Sequence, residues 1–81
     1  MSALPRYTLA YHERSGEWVL IHDLSGRAVK RFSHKEMATR GGILKRLVGE
    51  RGGSIKIQKL NGKYQEERTF PPERDPHRFP G

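Results

Sequence analysis

Residues 32–53 read FSHKEMATRGGILKRLVGERGG, and how this stretch folds decides the architecture of the chain. Ser33 followed by Glu36 has the spacing of a capping box, with each side chain able to take the other residue's backbone N–H. Phe32 and Met37 stand where a hydrophobic staple would fix the entry of the chain. Met37, Gly41, Leu44 and Val48, flanked by Ala38 and Leu47, recur at the interval of one buried helical stripe. Arg51 falls in the expected last turn, and Gly52-Gly53 reads as the stop. The pattern predicts one helix, and Ser33→Ala would then remove a cap worth about 1 kcal/mol.

Gly41-Gly42 interrupts that pattern, because each glycine costs about 1 kcal/mol against alanine inside a helix. Two readings account for it. The helix backbone can approach a bulky sheet residue at this point, with Trp18 as the candidate. Alternatively, the helix kinks there or divides in two.

Upstream, Arg6 to His12 alternates, with Tyr7, Leu9 and Tyr11 on one face and Thr8, Ala10 and His12 on the other, as in a half-buried strand. A turn at Glu13-Arg14-Ser15-Gly16 leads into Glu17 to Asp23. Its centre, Trp18-Val19-Leu20-Ile21, is apolar on both faces, as in a strand covered on both sides. A second turn at Leu24-Ser25-Gly26-Arg27 leads to a short strand, Ala28 to Phe32. Downstream, Ser54 to Leu60 and Lys63 to Phe70 flank Asn61-Gly62, a strong hairpin signal. A two-residue loop sets Ile57 opposite Glu66 and Ile55 opposite Arg68, an awkward match for a core face. A glycine bulge would shift that register, so it stays open at this level. The expected fold is α+β. It is an antiparallel sheet of about five short strands, ordered β-β-β-α-β-β, with one helix packed on one face. Residues 1–5 read as a flexible N-terminus, 6–70 as a single domain and 71–81 as a disordered proline-rich tail.

The chain resembles the small bacterial proteins of domain of unknown function family 2188, over about Tyr7 to Asp75. Carrying the resemblance are Gly16-Glu17-Trp18, Phe32-Ser33-His34-Lys35-Glu36-Met37-Ala38, Gly52-Gly53-Ser54-Ile55, Asn61-Gly62-Lys63 and Glu66-Glu67-Arg68-Thr69-Phe70-Pro71. Members of that family have an alanine-rich helix where this chain has Gly41-Gly42. The resemblance implies a small α+β fold and supplies no catalytic residues.

With 81 residues, 33% of them hydrophobic, the chain has room for one small core. It contains no cysteine, which removes disulfides and thiolate metal sites. No apolar h-region and no run near the ~20 residues of a membrane span is present. The expectation is a cytoplasmic protein with no membrane partner. His12, His22, His34 and His77 show no ligand spacing, and Glu66-Glu67 point to opposite faces of a strand. No serine or threonine sits in a nucleophile motif. The reading is a non-enzymatic binding module with no metal, no cofactor and no small-molecule substrate.

The net charge of +7 is spread along the chain. Lys35, Arg40, Lys45, Arg46 and Arg51 make the helix the candidate nucleic-acid surface. The competing class is a protein-interaction module or homodimer. One helix covers only one side of a sheet, so Trp18, Leu20, Tyr7 and Tyr11 are the candidate interface, unless Leu4 or Phe79 folds back over the other face.

Overall fold

The structure, a computed structural model, describes residues 4–72. The N-terminal residues before Leu4 and the tail from residue 73, with Phe79, lie outside the described residues. Five strands form one sheet: β1 (Arg6–His12), β2 (Glu17–His22), β3 (Ala28–Phe32), β4 (Gly53–Gln58) and β5 (Tyr64–Phe70). Between β3 and β4 run two short helices, α1 (Lys35–Thr39) and α2 (Ile43–Val48). The strand order is β3-β2-β1-β4-β5.

The α+β class and the five strands are as expected, but the sheet is mixed rather than antiparallel. β1 pairs with β4 in parallel, Tyr7 beside Ile55 and Leu9 beside Ile57. Connectivity explains this. In the meander β3 runs the same way as β1, and a helical crossover returns the chain to the starting end of the sheet, so the next strand runs the same way again.

The single helix is also corrected. Gly41 takes φ +52, a left-handed conformation open to glycine, and closes α1. An added Cβ at Gly41 or Gly42 meets nothing within 4 Å. The glycines therefore break the helix, and no close approach to Trp18 requires them.

At the start of α1 the N-cap is His34, with no side-chain capping bond, and Met37 N–H donates to the His34 carbonyl at 3.1 Å. The capping box is not formed. Moving the start by one residue turns the helix by about 100°. Ala38 faces the core in place of Met37, which is 46% exposed, so the staple is absent as well. Ser33→Ala is therefore expected to leave the urea midpoint unchanged to within about 0.5 kcal/mol. A loss near 1 kcal/mol would show that the box forms in solution.

α2 ends earlier than Gly52. Gly49, at φ +75, is its C-cap and donates to the Lys45 carbonyl at 3.1 Å.

The core lies between the helices and one face of the sheet. Leu9, Trp18, Leu20, Phe32, Ile55 and Ile57 are buried against Ala38, Leu44 and Val48. Tyr7, Tyr11, Ile43, Leu47 and Phe70 pack around them. In the last hairpin Ile55 does stand opposite Arg68 and Ile57 opposite Glu66, with a bulge beyond Ile57. The awkward pairing is resolved by the two charged residues themselves. Arg68 Nε donates to Glu66 Oε2 at 2.9 Å, and its Nη1 donates to the Thr39 carbonyl at 3.1 Å. The pair closes the edge of the core and ties β5 to the end of α1.

Candidate nucleic-acid interface

The five basic residues of the 32–53 stretch are divided between α1, α2 and the segments that follow each of them. Lys35 is drawn toward the sheet. Its Nζ sits 5.0 Å from the centre of the Trp18 ring and donates to the Gln65 side chain. Burial lowers its pKa from the ordinary 10.5, with Glu66 opposing and Lys59 adding to the shift. Glu66 lies below its ordinary carboxylate value chiefly because Arg68 hydrogen-bonds to it. Lys35 thus serves the packing of α1 on β2 and β5. Lys45 and Arg46 occupy the last turn of α2, where cations complement the helix dipole. Arg40 lies at the C-cap of α1 and Arg51 just beyond α2. Arg40, Arg46 and Arg51 are exposed and form no ion pair among the described residues.

Trp18, Leu20, Tyr7 and Tyr11 all belong to the helix-covered face. The β1–β2 register sets Tyr11 opposite Trp18 and Leu9 opposite Leu20. Side chains opposite one another share a face, so Trp18 and Leu20 are buried and the two tyrosines half-buried at their margin. Tyr11 and Trp18 pack with ring centroids 5.5 Å apart, and Tyr7 meets His22 edge-on at 5.2 Å. These four residues build the core, and an interface on the open face would have to use other residues. By the same register the open face carries Thr8, Ala10, Val19 and Ile21, edged by Arg6, Arg31 and Lys56. Val19, between Ala10 and Arg31, is buried there, and Arg31 Nη1 lies 3.6 Å from Glu17 Oε1.

A further cation, Lys59, stands where local sequence patterns do not point. The β1–β2 turn and the β4–β5 hairpin lie at the same end of the sheet, and Glu13, Lys59, Leu60 and Asn61 line one shallow depression there. The hairpin tip is held by its own backbone. Lys59 N–H donates to the Lys63 carbonyl at 2.7 Å, and Lys63 N–H to Asn61 Oδ1 at 3.0 Å. The signal in the sequence is the lysine on either side of Leu60-Asn61-Gly62, overshadowed by the larger number of cations in the 32–53 stretch.

Among the described residues no group of three or more His, Cys, Asp and Glu side chains is placed to hold a metal. His12 stands opposite Glu17 and His22 opposite Tyr7, at the two ends of the first hairpin. Glu66 and Glu67 diverge, Glu67 accepting from Ser54 Oγ on the open face. No helix among the described residues is long and apolar enough to cross a membrane. No family model matches the chain, and neither a curated protein nor a solved structure matches it significantly.

Proposed function

We propose that this chain, which resembles family 2188 in the order of its turn and core residues, is a non-enzymatic cytoplasmic module that binds nucleic acid through phosphate contacts. The observation that carries this reading is the exposure of Arg40, Arg46 and Arg51 without ion-pair partners among the described residues. In the tail Arg74 and Arg78 are balanced by Glu73 and Asp75, so the net charge of +7 belongs to the residues before the tail. Phosphate binding releases counterions, and duplex affinity should therefore fall linearly with salt on a log–log plot. Arg46→Glu with Arg51→Glu is expected to flatten that slope by about 2, close to 0.9 for each phosphate no longer neutralised. Lys35 is unsuited to this test because its removal would disturb the Trp18 packing. Absence of binding at low salt would overturn the proposal.

The open sheet face supports a second reading, a homodimer or protein partner. Half-buried Ala10 and Ile21 flank the buried Val19 at its apolar centre, and neither α1 nor α2 covers it. Sedimentation over a wide concentration range distinguishes the two, since this reading requires association without nucleic acid.

A further inference from the structure

β3 is one edge of the sheet, and among the described residues no strand pairs with its outer side. Alternate backbone N–H and C=O groups of an edge strand point outward and stay open to a further strand. Ala28, Val29, Lys30 and Arg31 are all exposed along it. The register sets Ile21 beside Ala28 but Leu20 beside Lys30, so Val29 is the extra residue of a bulge. That extra residue decides where the charges stand. His22 N–H donates to the Arg27 carbonyl at 2.9 Å, which places Arg27 opposite His22, as Lys30 is opposite Leu20. His22 and Leu20 share one face of β2, so Arg27 and Lys30, three residues apart, stand together on the helix side of the exposed edge. Neither forms an ion pair among the described residues. Arg31 lies on the other side, opposite Val19, and has Glu17 at 3.6 Å.

We propose that the outer edge of β3 takes an extended acidic peptide as an added strand, its backbone pairing with β3 and its carboxylates meeting Arg27 and Lys30. This site is independent of the nucleic-acid reading, because it uses none of Arg40, Arg46 and Arg51. Strand addition draws affinity from main-chain hydrogen bonds and specificity from alternate side chains. A strand with a carboxylate at every second position sets them all on one face, which matches the side that Arg27 and Lys30 occupy. A nucleic acid meets the two cations but offers no row of N–H and C=O groups to the strand. A second copy is the poorer occupant. Each copy carries a net charge of +7, and on the other edge strand Glu66 and Glu67 are already bonded to Arg68 and Ser54. A lysine and a bulge on an edge strand discourage pairing between like chains. Toward an acidic strand the same lysine is attractive.

The probe is a fluorescein-labelled peptide of alternating glutamate and valine, followed by anisotropy at low salt. Its fully N-methylated counterpart keeps every charge and side chain but has no backbone donor. The plain peptide is expected to bind, and the methylated one on the order of tenfold more weakly, as loss of two or three hydrogen bonds implies. Arg27→Glu with Lys30→Glu should weaken the plain peptide by about tenfold or more. Both side chains are exposed, so this variant should fold, and circular dichroism checks it. Arg46→Glu with Arg51→Glu should leave peptide binding unchanged, whatever it does to duplex binding. Equal binding of the two peptides would show attraction by charge alone and overturn strand addition. Unchanged affinity in the Arg27 and Lys30 variant, or a loss in the Arg46 and Arg51 variant, would place the peptide elsewhere and overturn the site. Sedimentation of the chain alone completes the test. Self-association abolished by Arg27→Glu with Lys30→Glu would give the edge to a second copy and overturn the peptide as its occupant.

Discussion

Gly52→Ala is expected to be strongly destabilising, the most damaging alanine substitution among the described glycines. Gly52 sits at φ +76, where a side chain is strained in any surroundings. The space is also occupied. A Cβ there would lie 2.1 Å from the Phe70 carbonyl oxygen, 2.8 Å from Pro71 C and 2.9 Å from Pro72 N. These are backbone atoms of the strand end that crosses Gly52, and they cannot rotate away as a side-chain tip could. Left-handed strain and overpacking together should cost about 4 kcal/mol. For a chain of this length that is comparable with the whole stability, about 4–12 kcal/mol. Gly26→Ala is the control, since it shares a positive φ of +73 but meets nothing within 4 Å. It should lose only about 1 kcal/mol. Urea unfolding followed through Trp18, the single tryptophan, measures both. Similar midpoints for the two variants would show that β5 does not close over Gly52 as described.

The crowding at Gly52 also shows what the sequence made legible. Gly52-Gly53 reads as a helix stop because glycine after a periodic segment usually is one. In the structure Gly49 stops the helix, and the glycine pair is needed because three segments converge there. A Cβ on Gly53 would come within 2.7 Å of the Tyr7 ring and 3.2 Å of Val48. Local patterns carry no information about a strand end arriving from residues 70–72. For the same reason the parallel β1–β4 pairing was hidden: hairpins are local, whereas this pairing joins residues far apart in sequence. The strands themselves were readable from alternation and turn residues, because those signals lie within a few residues of one another. The capping box failed by one residue, and that single step exchanged Met37 for Ala38 in the core.

The candidate site was legible as composition but not as geometry. On a continuous helix Lys35 and Arg46 would point away from the apolar stripe, with Arg40, Lys45 and Arg51 flanking it. The break at Gly41 separates Arg40 from Lys45 and Arg46, and the Trp18 ring and Gln65 hold Lys35. Lys59 and Glu13 share a depression only because two turns distant in sequence end at one edge of the sheet. Their proximity depends on the strand order, which follows from the parallel pairing that local patterns could not reveal.

Leu9→Ala should destabilise the protein by about 3 kcal/mol, the usual range for a buried leucine being roughly 2–5. Leu9 is fully buried on β1, the strand that joins the N-terminal meander to the C-terminal hairpin. It stands opposite Leu20 on β2 and beside Ile57 on β4. Both neighbours are fixed by strand pairing, so the cavity can collapse little, and no polar group is at hand to admit water. Leu24→Ala is the comparison, because Leu24 is 94% exposed and its loss should fall within about 0.5 kcal/mol. Ile57→Ala tests the junction itself. Residues that share a cavity couple by about 0.5–3 kcal/mol, so Leu9→Ala with Ile57→Ala should cost less than the two single losses added. Strict additivity would mean that the two side chains do not share one cavity, and the parallel β1–β4 pairing at the centre of the sheet would then be wrong.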